Sequence, residues 1–180
     1  MHPEHPPPPA EPSGGTVLVV GDGSVAAALV AMTAVLGWEV VVVDDVEATK
    51  DAVGRLGESD AVVVLSHDED VDGPALAAAL DSDAGYVAAM GSRRTQQRRS
   101  QWLGDNGVPA ERIDKVRGPA GLDIGADTPS EIAVSIVSEI IAVRRGAKIA
   151  ADTEARRESK GCDRAQGGLG SWMMSCSRLR

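Results

Sequence analysis

Two short stretches of this sequence bring together groups that could hold an anion. In "VVGDGSVAAAL", Gly21, Gly23 and Ala26 form a GxGxxA spacing behind an apolar run. Such glycines let the main chain turn sharply and approach a phosphate, and a helix opening at Ser24 would aim unpaired N–H groups at it. In "MGSRRT", a second apolar run ends on Gly91, Ser92, Arg93 and Arg94. The glycine allows close approach, the serine hydroxyl can donate, and the guanidinium forks match the oxygens of a phosphate. Arg98 and Arg99 follow one turn later. Cations at a helix start oppose the helix dipole, and an anionic ligand would resolve that conflict.

Other polar groups end further apolar runs. Asp44, 23 residues after Gly21, stands where an acidic side chain binds ribose hydroxyls, and Asp45 beside it disfavours a 2′-phosphate. His67, next to Asp68, is the one histidine outside the first fifteen residues. It could bind a ligand, act as acid or base, or sit exposed; no serine or cysteine nucleophile pairs with it in a recognisable motif. The structural alternatives are a glycine turn kept for packing, an exposed histidine and a solvated helix start. Asp22, beside the phosphate position, weighs toward the first.

A parallel sheet is the element that would bring these residues together. "TVLVV" (16–20), "EVVVV" (39–43), "AVVVL" (61–65) and "GYVAAM" (85–90) are continuous β-branched or apolar runs. The segments between them, "SVAAALVAMTAVLG", "VEATKDAVGRLG" and "GPALAAALDSD", have helical length and composition. That alternation predicts a Rossmann-like, doubly wound, mostly parallel α/β sheet with helices on both faces. Ligands bind such sheets outside the carboxyl ends of the strands, where all the residues above would lie. "TQQRRSQWLGDNG" predicts a further helix with Trp102 and Leu103 on its packed side, followed by a loop through "VRGPAGLDIGADTPSE". The last helix has the clearest start: Thr128 as N-cap, Pro129 at the first position and Glu131 completing a capping box. Its buried face should carry Ile132, Ala133, Ile136, Val137, Ile140 and Ile141, and it should fade after Arg145.

The 180 residues suit one domain, with 43% hydrophobic but 2% aromatic residues and no Phe, so an aliphatic core is expected. The net charge of -9 argues against nonspecific nucleic-acid binding. No apolar run approaches the roughly 20 residues needed to span a bilayer, and the start lacks the apolar core of a signal peptide, so a cytoplasmic protein is expected. Residues 1–15 are proline-rich and read as a disordered leader, 16–146 as the domain, and 147–180 as a disordered tail with "SWMM" (171–174) as a sticky segment. Cys162 and Cys176, both in that tail, form no disulfide framework or metal-ligand spacing.

With "DAGYVAAMGSRRT" and "GLDIGADTPSEIAVSI" placed, the sequence resembles the Rossmann domain of the xanthine dehydrogenase accessory protein family, the XdhC/CoxI group. The likeness runs from Val17 to Arg145. It implies a non-catalytic maturation factor that binds the molybdenum cofactor, as molybdopterin or its dinucleotide form, and delivers it to an apo molybdenum hydroxylase. The family pattern marks Gly21, Gly23, Asp44, Asp45, His67, Asp68 and Gly91 to Arg94, with Gly121 to Gly125 and Thr128 to Glu131. Members commonly carry an additional N-terminal domain. In its place this chain offers the proline-rich leader, which implies a separate protein supplying that domain or a reduced role. Val46 stands where an arginine commonly follows the two aspartates, and Asp22 where the residue is usually uncharged. Both lower the positive potential near the first loop. An NAD-dependent oxidoreductase using His67, a structural adaptor and a homodimer are the alternatives kept open.

Overall fold

The structure, a computed structural model, describes residues 14–66 and 68–147. The expected leader, the tail with "SWMM" and its cysteines, and His67 fall outside those residues, apart from 14–15 and 147 at the margins. The four apolar runs form strands β1 (Thr16–Val20), β2 (Glu39–Val43), β3 (Ala61–Val64) and β4 (Tyr86–Ala89). All pair in parallel, in the order β2-β1-β3-β4. Val20 is in register with Val43 and Val64, and Val64 with Ala89, so the strands end level. Arg117 adds an isolated parallel bridge to Ala88, the start of a fifth position beyond β4.

The helices are α1 (Ser24–Val35), α2 (Val46–Val53), α3 (Glu69–Asp81), α4 (Arg93–Asp105), the single turn α5 (Ala110–Ile113) and α6 (Pro129–Arg144). Alternate strand residues serve two aliphatic cores. Val17, Val19, Val63 and Ala88 pack with Leu29 of α1 and with Ile136 and Ile140 of α6. Leu18, Val20, Val62 and Val64 pack with Val53 of α2, Leu76 of α3 and Leu103 of α4. With helices on both faces the central strands need no polar side, which is why they read as unbroken apolar runs. At the edge, β2 leaves Val42 45% exposed. The fold is Rossmann-like α/β, and the strand order reverses between β1 and β3.

Element boundaries differ from expectation where caps decide them. Helix α3 opens at Glu69 rather than Gly73, because Asp68 Oδ1 accepts the Asp70 N–H at 2.9 Å. Pro74 therefore lies inside the helix. Gly73 is there for packing: a Cβ would sit 2.5 Å from the Trp102 ring. Helix α4 opens at Arg93, two residues before the predicted start, with Ser92 as N-cap. Helix α5 was not anticipated. In α6 the capping box is present as read. Ile141, expected in the buried face, is 37% exposed. It stands near Gly15, Asp60 and Gly85, which precede strands, so the last turn of α6 runs past the amino edge of the sheet and loses its cover.

Candidate functional site

Level strand ends bring the predicted residues to one edge. Gly21 to Ser24 leave β1, Asp44 and Asp45 leave β2, Ser66 and Asp68 follow β3, and Gly91 to Arg94 follow β4. Adjacent strands lie about 4.8 Å apart, so the β1 and β4 loops are separated by roughly 10 Å with the β3 loop between them.

The glycines on the β1 side do two jobs. Gly21 has φ 102°, and a Cβ there would lie 2.6 Å from the backbone nitrogen of Ser66. It is the residue that lets the β1 and β3 loops touch, while its N–H donates to Val43 O at 2.7 Å. Gly23 has φ 105° but open space where a Cβ would be. It is the N-cap of α1 and supplies no side-chain cap, and Ser24, exposed at the first position, caps nothing. The first N–H groups of α1 therefore have no side-chain cap, and Ala26, 4% exposed, allows the close helix packing expected of the third small residue.

The acidic candidates are largely tied to helix starts. Asp45 caps α2 by accepting from Ala48 N at 2.8 Å, and Asp68 caps α3. Asp44 is exposed at the end of β2, beside the glycine loop. On the β4 side, Ser92 Oγ accepts from Thr95 N at 3.3 Å and meets Thr95 Oγ1 at 3.1 Å, so its hydroxyl is engaged as a cap. Arg93 and Arg94 are exposed in the first turn of α4. His67 lies outside the described residues.

Arg99 departs from the sequence reading, which grouped it with Arg93, Arg94 and Arg98 at the start of the helix. It is 5% exposed and forms a buried ion pair with Asp72, Nε donating to Oδ2 at 2.9 Å and Nη2 at 2.5 Å. Its Nη1 donates to Met90 O at 2.6 Å and Nη2 to Ser66 O at 3.4 Å. One side chain thus ties the ends of β3 and β4 to α3. The signal was available: Arg99 shares a helical face with Trp102 and Leu103, three and four residues on, and a charge inside an apolar stripe implies a buried partner.

A second buried cluster, also missed, fixes the "GLDIG" segment. Glu139 of α6 is 6% exposed, and its Oε2 accepts from the Tyr86 hydroxyl at 2.7 Å and from Gly121 N at 2.8 Å. Arg117 Nη1 lies 3.3 Å from its other oxygen. Burial, then the Glu139 charge and hydrogen bond, hold the Tyr86 phenol well above its ordinary pKa, so it remains a donor. A Cβ on Gly121 would lie 2.3 Å from Ser135 Oγ, so this loop can press onto α6 only as glycine. Glu131 is engaged by its cap alone: Oε2 accepts from Thr128 N and Asp127 N, each at 2.9 Å, and those bonds lower its pKa. Among the described residues no group of three or more His, Cys, Asp or Glu could hold a metal ion, and no helix is long and apolar enough to cross a membrane.

A sequence model of the XdhC Rossmann domain matches residues 17–140, from the start of β1 to the last buried turn of α6. The chain belongs to the XdhC Rossmann domain family. The molybdenum cofactor insertion chaperone PaoD of Escherichia coli strain K12 is 29% identical over 128 residues, 71% of this chain and 40% of PaoD. The uncharacterized protein YqeB of the same strain is 28% identical over 149 residues, 73% of this chain and 28% of YqeB. A crystal structure described as a xanthine dehydrogenase from Bacillus halodurans superposes with a TM-score of 0.59 at 25% identity, covering 76% of this chain and 44% of that one. This XdhC-family chain thus spans less than half the length of each of these relatives.

Proposed function

We propose that this XdhC-family domain is a maturation factor for a molybdenum hydroxylase, one that holds the molybdenum cofactor and passes it to the apo-enzyme without turnover of its own. The observation that carries the reading is the N-terminus of α1 at Gly23, which has no side-chain cap, on the same sheet edge as Arg93 and Arg94. The α1 amides and the open space at Gly23 suit a phosphate, and the arginines suit a second anionic group about two strands away. Asp44, at the end of the neighbouring strand, suits the ribose hydroxyls of a pterin dinucleotide. PaoD, 29% identical, is named a molybdenum cofactor insertion chaperone, which supports the reading.

The test is anaerobic equilibrium binding of purified molybdenum cofactor to the full chain, with NAD as a parallel titrant. Cofactor binding is expected, and Arg93→Ala with Arg94→Ala should weaken it by about 10- to 100-fold, the loss of one or two charge-assisted hydrogen bonds. Folding of that variant should be unchanged, since exposed arginines contribute little to stability. Absence of cofactor binding, alone or with an added accessory domain, sinks the proposal. Tighter binding of NAD than of the pterin would favour an oxidoreductase instead.

A further inference from the structure

The end of the sheet opposite the glycine loop contains a cavity of about 910 Å³. Its wall includes Gly14, Leu36, Trp38, Asp60, Ile141 and Arg144, and none of the residues of the β1 or β4 loops borders it. A volume of this order is typical of small-molecule sites.

The chemistry sits on Arg144, in the last turn of α6. Its guanidinium carbon lies 4.2 Å from the centroid of the Trp38 ring, so the flat cation is stacked on the indole. Stacking occupies the face of a guanidinium and leaves its in-plane N–H groups to be satisfied. Here Nε, Nη1 and Nη2 are all withdrawn from water and none has a hydrogen-bond partner. That burial draws the Arg144 pKa below the usual guanidinium value, while the nearby Asp60 charge opposes the fall. Asp60 does not fill the gap, since its oxygens accept from Thr16 N at 2.6 Å and from Gly57 N at 2.7 Å. A buried fork of donors with no acceptor is costly, and native structures rarely leave one unexplained.

We propose that this cavity is a second ligand site that takes a small organic carboxylate, its two oxygens on the Arg144 fork and its apolar body against Leu36, Ile141 and Val143. The carboxylate has the planar, bidentate geometry that a guanidinium edge matches. A single negative charge also fits the surroundings: Glu58 and Asp60 line the same cavity against Arg144 and Arg145, and the two carboxylates repel a phosphate dianion more strongly than a monoanion. The fork has almost no accessible surface in this structure, so it meets the ligand by rotation of the long arginine stem toward the cavity, without backbone movement.

The experiment titrates the full chain with benzoate, and separately with inorganic phosphate, while following the indole N–H signals by two-dimensional NMR, the Trp38 signal being assigned with Trp38→Phe. Benzoate should shift the Trp38 signal saturably and leave the Trp102 signal in place. Arg144→Gln should weaken that response by about tenfold or more, and Arg144→Lys, which keeps the charge but loses the fork, should also weaken it. Arg93→Ala with Arg94→Ala should leave it unchanged, which separates this site from the one at the carboxyl edge. No saturable Trp38 shift in the native chain, or an equal shift in folded Arg144→Gln, would overturn the site. Equal or tighter binding of inorganic phosphate would overturn its assignment to carboxylates.

Discussion

The two loops that frame the candidate site solve the problem of a helix start in opposite ways. At the end of β1, glycine enters α1 with no side-chain cap, and the helix behind it is built wholly from small and apolar residues. At the end of β4, Ser92 caps α4, two exposed arginines stand in its first turn, and a third arginine is buried beneath. The first loop leaves amides open and carries no positive side chain; the second has its cap filled and presents charge. An anion would therefore meet backbone donors on one side and guanidinium groups on the other. The difference shows why one motif alone reads ambiguously: neither loop by itself offers both the geometry and the charge.

The largest effect expected concerns the support of the β4 side. If Arg99 holds the ends of β3 and β4 together, Arg99→Met should lower the unfolding free energy by about 3–5 kcal/mol, because the buried Asp72 carboxylate loses its Arg99 partner. Adding Asp72→Leu should restore part of that loss. Recovery should stay incomplete, since Met90 O and Ser66 O also lose a donor. Urea denaturation with an unchanged slope measures both. A loss below about 1 kcal/mol for Arg99→Met would mean that the loops are held by strand pairing alone.

What the sequence made legible follows from the range of the interactions involved. Four strands, five longer helices and the α6 capping box could be read because valine runs, glycine stops and a Thr-Pro-x-Glu start are local signals. The convergence of Gly21, Asp44, Asp68 and Gly91 on one edge followed from topology. What escaped was non-local: Arg99 finds Asp72 27 residues away, and Glu139 finds Tyr86 53 residues away. Nothing adjacent in the chain reports those pairings, although the apolar stripe around Arg99 hinted that it had one. The starts of α3 and α4 were misplaced for a smaller reason. In the sequence Asp68 and Ser92 read as candidate ligand groups, whereas their side chains also cap the helices that follow.

A smaller effect should separate the two glycines of the β1 loop. Both have positive φ, so alanine is strained at either position. Gly21→Ala adds a Cβ against the Ser66 backbone and should cost about 2–3 kcal/mol, the upper end for such positions. Gly23→Ala meets open space and should cost less, about 1–2 kcal/mol, from its glycine-only backbone conformation alone. Binding should show the reverse emphasis: Gly23→Ala, with little structural damage, should still weaken cofactor binding, because its methyl group stands where the ligand approaches. Thermal unfolding and anaerobic titration of the two variants read this directly. Equal stabilities would show that the β1–β3 contact yields easily and that Gly21 serves only the turn.

The smallest effect bears most directly on the contrast between the two helix starts. Ser92 and Ser24 stand at neighbouring positions of their motifs, one the N-cap of α4 and the other the first residue of α1. Ser92→Ala removes the acceptor for Thr95 N and should cost about 1 kcal/mol, the usual value of a cap. Ser24→Ala removes nothing that the helix uses, so stability should stay within about 0.5 kcal/mol of the native chain. With cofactor present the order should invert, provided that the Ser24 hydroxyl joins the α1 amides around the phosphate: Ser24→Ala then loses ligand-induced stabilisation, while Ser92→Ala keeps it. Comparing unfolding temperatures with and without cofactor gives all four values. If both variants lose ligand stabilisation alike, the Ser92 hydroxyl leaves its cap on binding, and the two loops act as one continuous anion cradle instead of as an amide wall and a guanidinium wall.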